Sequence, residues 1–445
     1  MFGYYGMQVV TGHSDVRVEM PADTLEATLS RELRRTSECS ATTAAGGSHL
    51  ERSAIRQTYT FPRMTLLSDT DLLRRLVAFD TTSSRSNVPF ADFICDYLAD
   101  LSVRVDRFLS DDGQKVNLLL TTGPEQRLGG EGLTLCGHMD TVPATEREWL
   151  SEPYEMREKD GFFVGRGTAD MKGFLAIAVN ALAESATQSL GSPLALLLTY
   201  DEEVGCLGAR DFRLRWPSDR RLPTCTVIGE PTSLRVARMH KGHLKLLLSI
   251  PGRAAHSGYP HLGINAIERA GVVITALSQL RQELEREHHD QARFFPTVPY
   301  VPLNIGTIEG GSATNIVPDR CLIEVGVRLM PGMRSEEMVS RLRGVLDERA
   351  PAAAASLEVI SDSPPMLLDA EAGIHRTLCD LVGQQGSDSV SFATDGGWLQ
   401  ELGLECVLFG PGSIEVAHKA NEFLPRDEFL RGAALVRDLI RQYCR

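Results

Sequence analysis

Leu133-Thr-Leu-Cys-Gly-His-Met-Asp140 is the stretch on which the reading of this chain turns. Its first half is apolar or small and reads as a buried strand. Its second half carries His138 and Asp140, which do not belong in an apolar interior. Side chains two apart on a strand share a face. His138 and Asp140 are therefore expected to point together, where strand gives way to loop. A histidine with a carboxylate fixed beside it is a common way to build a metal ligand with an orienting neighbour. The bland alternative is a core histidine satisfied by an adjacent acid, and the stretch alone leaves both open.

The same pattern recurs on either side. Gly165-Arg-Gly-Thr-Ala-Asp-Met-Lys-Gly173 is a Gly-punctuated turn leading into an apolar helix from Phe174 to Leu182. Pro193-Leu-Ala-Leu-Leu-Leu-Thr-Tyr200 is a continuous apolar run, the mark of a strand buried on both faces in a largely parallel sheet. It ends in Asp201-Glu202-Glu203, and Cys225-Thr-Val-Ile-Gly229 ends at Glu230. Open α/β sheets place ligands along that strand edge. The expected fold is α/β: a mixed, mostly parallel sheet flanked by helices, with an inserted α+β domain.

Composition sets the outer limits. A chain of 445 residues is too long for one ordinary core, so more than one domain is expected. A net charge of -13 argues against a nucleic-acid partner, which needs a basic face. No apolar run reaches membrane-spanning length, and Met1-Phe-Gly-Tyr-Tyr5 does not open a signal peptide. The 9 cysteines are scattered, with no CxxC pair, which reads as reduced, cytoplasmic usage. Residues 1–63 are rich in Ser, Thr, Arg and Glu and read as a disordered or mis-called extension, with Met64 as the natural start. Residues 64–238 and 353–445 read as the metal-binding catalytic domain. Residues 239–352, in the order strand, helix, strand, strand, helix, read as the insertion, a dimerisation or lid domain.

The hard-ligand candidates are His138, Asp140, Asp170, Glu202, Glu203, Glu230 and His418, each at a turn or strand end. Borderline cations such as zinc accept imidazole and carboxylate ligands. Two cations close together repel and need a shared anion. Asp170 suits that bridge; His138 with Glu230, and Glu203 with His418, suit the two ends. One carboxylate of the Glu202-Glu203 pair can bind metal while its neighbour stays free to carry protons. Any one of these residues alone is more often a solvated surface group. An acidic cluster at one sheet edge, however, needs a cation to be stable.

Together with these residues, five motifs carry a resemblance. They are Gly137-His-Met-Asp-Thr-Val-Pro143, Gly167-Thr-Ala-Asp-Met-Lys-Gly173, Asp201-Glu-Glu-Val-Gly205, Gly229-Glu-Pro-Thr232 and Gly410-Pro-Gly-Ser413 with Ala417-His418. From about Leu66 to Arg445 the chain resembles the dinuclear zinc peptidases and deacylases, most of all their acetylornithine deacetylase branch. His240-Lys-Gly-His243 and Leu303-Asn-Ile-Gly306 add to that likeness. The resemblance implies two divalent ions, zinc or else cobalt, held by His138, bridging Asp170, Glu203, Glu230 and His418. It implies that Asp140 orients His138 and that Glu202 is the general base. It also implies a substrate-binding role for His256, offered to the amide oxygen from a partner subunit of a homodimer, and for Asn315 and Arg328 at the substrate carboxylate.

The expected reaction is hydrolysis of a small N-acyl amino acid, N2-acetyl-L-ornithine first, with desuccinylation or acetylcitrulline deacetylation as alternatives and a catalytically inactive metal-binding scaffold as the non-enzyme alternative. Asp395 and Glu415 are the candidates for an ornithine ammonium pocket. Neither a nucleic acid nor a membrane is expected as a partner.

Overall fold

The computed structural model describes residues 66–125 and 130–445. The expectations for residues 1–63 lie outside that range. The described chain opens on a helix, Asp69–Val77, whose first turn is capped by Ser68 accepting from the Asp71 N–H at 3.1 Å. Its Leu72, Leu73, Leu76 and Val77 are buried.

The main sheet is mixed. Its spatial order is Arg104–Leu109, Val116–Thr122, Leu194–Thr199, Leu133–His138, Cys225–Ile228, Glu405–Leu408, Ala237–His240 and Met366–Leu367, with Asp388–Val390 also pairing to Ala237–His240. The four central strands are parallel to one another, and both flanks add antiparallel neighbours. The expected α/β class holds, with parallel pairing concentrated at the centre. Leu133–His138 and Leu194–Thr199 are buried along their whole length. A fully buried leucine contributes roughly 1.5–3 kcal/mol, so the central strands anchor everything attached to their ends. Helix Gly173–Ser185 is buried almost all round, covered by Arg426–Cys444 on one side and the sheet on the other.

A second sheet orders Leu303–Gly310, Arg320–Val327, His243–Pro251 and Ser356–Ser363, all antiparallel. Leu244, Leu246, Leu248 and Ile250 alternate inward to a separate core under helices Ala266–Leu284 and Ser335–Arg349. The same alternation turns His243 and Lys245 to the opposite face. This sheet reaches to Ser363, past residue 352, while Ala237–His240 belongs to the main sheet. The last strand escaped the sequence reading for a physical reason. It is an edge strand whose register shifts between Val359 and Ser361, so its apolar alternation breaks.

The stretch from Thr141 to Arg166 contains a hairpin, Arg157–Lys159 with Phe162–Val164, which Phe423–Pro425 joins as a third strand. Among the described residues no helix is long and apolar enough to cross a membrane, and 8 cysteines are free.

Candidate metal centre

All the candidate ligands but Asp170 lie at or beyond the C-terminal end of a central strand. His138 is the last residue of its strand. Glu202 and Glu203 follow Leu194–Thr199, and Glu230 follows Cys225–Ile228. Asp170 lies in the turn before helix Gly173–Ser185, and His418 lies in the loop after Glu405–Leu408. Parallel strands present their C-terminal ends together, which is why residues far apart in sequence meet here.

They meet as two donor groups that share one carboxylate. His138, Asp170 and Glu230 offer ligand atoms within 4.8 Å of one another, and so do Asp170, Glu203 and His418. His138 Nε2 lies 3.0 Å from Asp170 Oδ1, while His418 Nε2 lies 3.3 Å from Asp170 Oδ2 and 2.9 Å from Glu203 Oε2. His138 and Glu230 are buried; His418 is exposed.

Asp140 meets His138 by a route the sequence does not reveal. His138 Nδ1 faces the Asp140 backbone carbonyl at 3.0 Å, and the nearer carboxylate oxygen stands off at 3.6 Å. The carboxylate is engaged elsewhere. It accepts the backbone N–H of Glu202 at 3.1 Å, that of Glu203 at 3.2 Å and the Ser83 hydroxyl at 2.7 Å.

The site demands positive charge. Burial, with Glu230 beside it, pushes the Glu202 carboxyl well above the usual range. Burial and the Asp170 charge do the same to Glu230. Glu203 is pushed up to about 7 by burial and by Asp170. Hydrogen bonds to Asp170 and Glu203 raise His418 to about 10. Burial is the largest single influence on His138 and opposes its charge, but the Asp170 hydrogen bond together with the charges of Asp170, Glu202 and Asp140 holds the imidazole well above its ordinary value. Glu230 Oε1 is buried and has no hydrogen-bond partner. Four crowded carboxylates, two imidazoles and an orphaned buried oxygen form a donor set that fits hard or borderline divalent cations.

A cavity of about 150 Å³ opens onto these groups, lined on one side by Asp170, Glu202, Glu203, Glu230 and His418. His243, Lys245 and Arg328 line it as well. A larger cavity of about 320 Å³ between Arg104, Trp216 and Arg220 offers no comparable donor group.

Not every candidate arrives here. His256 and Asn315 lie exposed on the short ribbon Ala255–His256 with Ile316–Val317 and do not line the cavity of their own chain. Asp395 is buried, its carboxylate accepting the Thr199 hydroxyl at 2.6 Å, so it cannot serve as an ammonium pocket open to the cavity. Glu415 is exposed and is not part of the lining. Sequence reasoning missed Lys172, fully buried and donating to the Phe79 carbonyl at 2.7 Å. It also missed Arg166, Glu422, His243 and Lys245. For the first two, position within the Gly-rich turn and four residues after His418 was the available signal.

Comparison with known proteins bears on the same residues. The model of peptidase family M20/M25/M40 matches residues 134–442. An acetylornithine deacetylase of Pasteurella multocida is 37% identical over 382 residues, covering 83% of this chain and 96% of the relative. An M20 family metallo-carboxypeptidase of Sulfolobus solfataricus superposes with a TM-score of 0.70 at 15% identity, covering 85% of this chain and 99% of the other. A dinuclear metal binding peptidase of the M20 family from Bacillus subtilis superposes at 0.58 with 15% identity, covering 84% and 96%.

Proposed function

The chain belongs to peptidase family M20/M25/M40 and is a metal-dependent amidohydrolase, and from that premise we propose that it removes the acyl group from an N-acyl amino acid, N2-acetyl-L-ornithine before others. The observation that carries the reading is the sharing of Asp170 by two donor groups, with Glu202 on the cavity wall and in neither. The names of relatives such as the Pasteurella enzyme favour the ornithine substrate.

His138, Asp170 and Glu230 would hold one divalent ion, and Asp170, Glu203 and His418 the other, zinc or cobalt in each case. The bound ions would acidify a water molecule and polarise the amide carbonyl. Glu202 takes the proton from the attacking water and returns it to the leaving amine. Asp140 keeps Glu202 in register through the backbone of that turn. Arg328 presents a planar fork for the substrate carboxylate, and His243 and Lys245 share its wall. His256 and Asn315 would act on the site of a second copy, in a homodimer built through the inserted layer. That layer serves as the dimerisation and lid domain.

The test is an assay of purified protein on N-acetylornithine, N-acetylcitrulline and N-succinyl-diaminopimelate, with and without a chelator. Metal-dependent turnover fastest on N-acetylornithine is expected. Turnover that survives complete removal of divalent ions would sink the proposal; a different preferred substrate would sink only its specificity.

A further inference from the structure

Arg166 is among the largest fully buried side chains of the described protein, and nothing in the chemistry above uses it. Its guanidinium joins two loops, and its backbone belongs to a third. Nη2 donates to the Pro143 carbonyl at 3.0 Å and to Glu146 at 2.8 Å, on the loop that leaves His138 and Asp140. Nη1 donates to the Lys419 carbonyl at 3.3 Å, next to His418, and to Glu422 at 2.9 Å. Arg166 itself begins the turn that ends in Asp170. Its flat face lies over the Trp149 ring at 5.3 Å.

Glu422 completes the arrangement. One of its carboxylate oxygens takes Arg166; the other accepts the backbone N–H groups of Ala169 at 2.9 Å and Asp170 at 3.1 Å. The Glu422 backbone carbonyl accepts the Gly165 N–H at 3.0 Å. The loops bearing His138, Asp170 and His418 are thus tied to one ion pair, with both partners about 1% exposed.

We propose that Arg166 and Glu422 are positioning residues that set the spacing of the two ion positions, and that the His418 position depends on them more than the His138 position. The asymmetry follows from what else holds each ligand. His138 ends a strand paired on both sides to central neighbours, including Thr199 opposite His138 itself. His418 has a left-handed backbone at φ 61° on a loop. The start of that loop is bonded to Pro231, Ser233, Leu234 and Glu428 through Gly410, Gly412 and Ile414, but beyond Ile414 its backbone meets the body through the Arg166–Glu422 pair and through Asn421, which bonds the Glu148 carbonyl and the Leu150 N–H. Only a planar fork can serve the Pro143 side and the Lys419 side together; a lysine ammonium would be a single point of charge.

The inference rests on the two-ion reading of the site, and the experiment separates the two. Metal-free wild type, Arg166→Lys and Glu422→Gln are titrated with Zn2+ alone by calorimetry and with Co2+ alone by visible absorption. Thermal melts of the same metal-free samples establish that each is folded. Wild type should take two ions. Each variant should keep one ion near wild-type affinity while the other weakens at least about 10-fold, the scale on which groups that orient ligands act. Two ions bound at wild-type affinities in the variants, or both weakened alike, would overturn the clamp and leave the two-ion site standing. A wild type that takes fewer than two ions would overturn the site reading itself. Glu422→Gln keeps an oxygen for the Ala169 and Asp170 N–H groups, so it reads the proposal even if Arg166→Lys does not fold.

Discussion

The Asp140 carboxylate holds the backbone N–H of Glu202 at 3.1 Å, so the residue beside one proposed histidine ligand also sets the turn that carries the proposed base. One side chain thereby registers two strand ends, Leu133–His138 and Leu194–Thr199. Asp140→Asn would keep one acceptor oxygen and lose the charge and the second. Turnover should fall roughly 10–100-fold, with the loss in kcat and little change in KM. Steady-state kinetics check the split.

Glu202 belongs to neither donor group, so Glu202→Gln should leave ion content intact. Hydrolysis should fall by about 10²–10⁴, the range for loss of a general acid–base. Metal analysis alongside the assay is the measurement; retained activity would remove Glu202 from the role.

Chelation should destabilise the fold as well as silence it. Burial first, and then repulsion among neighbouring carboxylates, raises the carboxyl pKa values of Glu202, Glu203 and Glu230, and bound cations would relieve both. A ligand at 100 times its Kd stabilises by about 2.7 kcal/mol. Melting temperature should therefore drop on dialysis against a chelator and recover with added Zn2+ or Co2+.

His240 supplies a pH dependence away from the ion ligands. It is fully buried, its Nδ1 facing the Lys241 carbonyl at 3.0 Å, and burial pushes its imidazole down to about 4. In the unfolded chain it titrates near 6.5. Between those values the unfolded chain holds the proton and the folded chain does not. This contribution is therefore full above about pH 6.5 and is lost as pH falls toward 4. It amounts to roughly 3 kcal/mol. Melts across that window should show the fall, and His240→Asn should flatten it.

Gly229 packs its backbone against Phe174, where an added Cβ would stand 1.9 Å from the ring. Gly229→Ala should destabilise the protein by about 1–3 kcal/mol and displace Glu230, the next residue. Denaturant unfolding with metal stoichiometry would register both effects, and wild-type values for both would refute this packing argument.

Much of this could be read from the residues in order. Leu194 to Thr199 announced a doubly buried strand because every position is apolar or small, and Glu202, Glu203 and Glu230 stood out because acids do not follow such strands without a purpose. The strand Ser356–Ser363 did not announce itself, because its register shift breaks the alternation. The hairpin around Asp160 was hidden for a related reason: three-residue strands carry too little pattern to be seen. Asp395 read as a candidate ammonium pocket in a glycine-rich loop, and the fold turned it inward onto Thr199.

Residue type and order settled the α/β class, the edge on which the chemistry is built and the identity of the side chains gathered there. Those features depend on local burial and on strand ends, which periodicity records. The folded chain alone decided that Asp170 is common to two donor groups, that Asp140 reaches back to the Glu202 turn, and that Arg166 ties three loops together. Each of these is a contact between residues tens to hundreds of positions apart, and such contacts are set by how the strands stack, which no local pattern encodes.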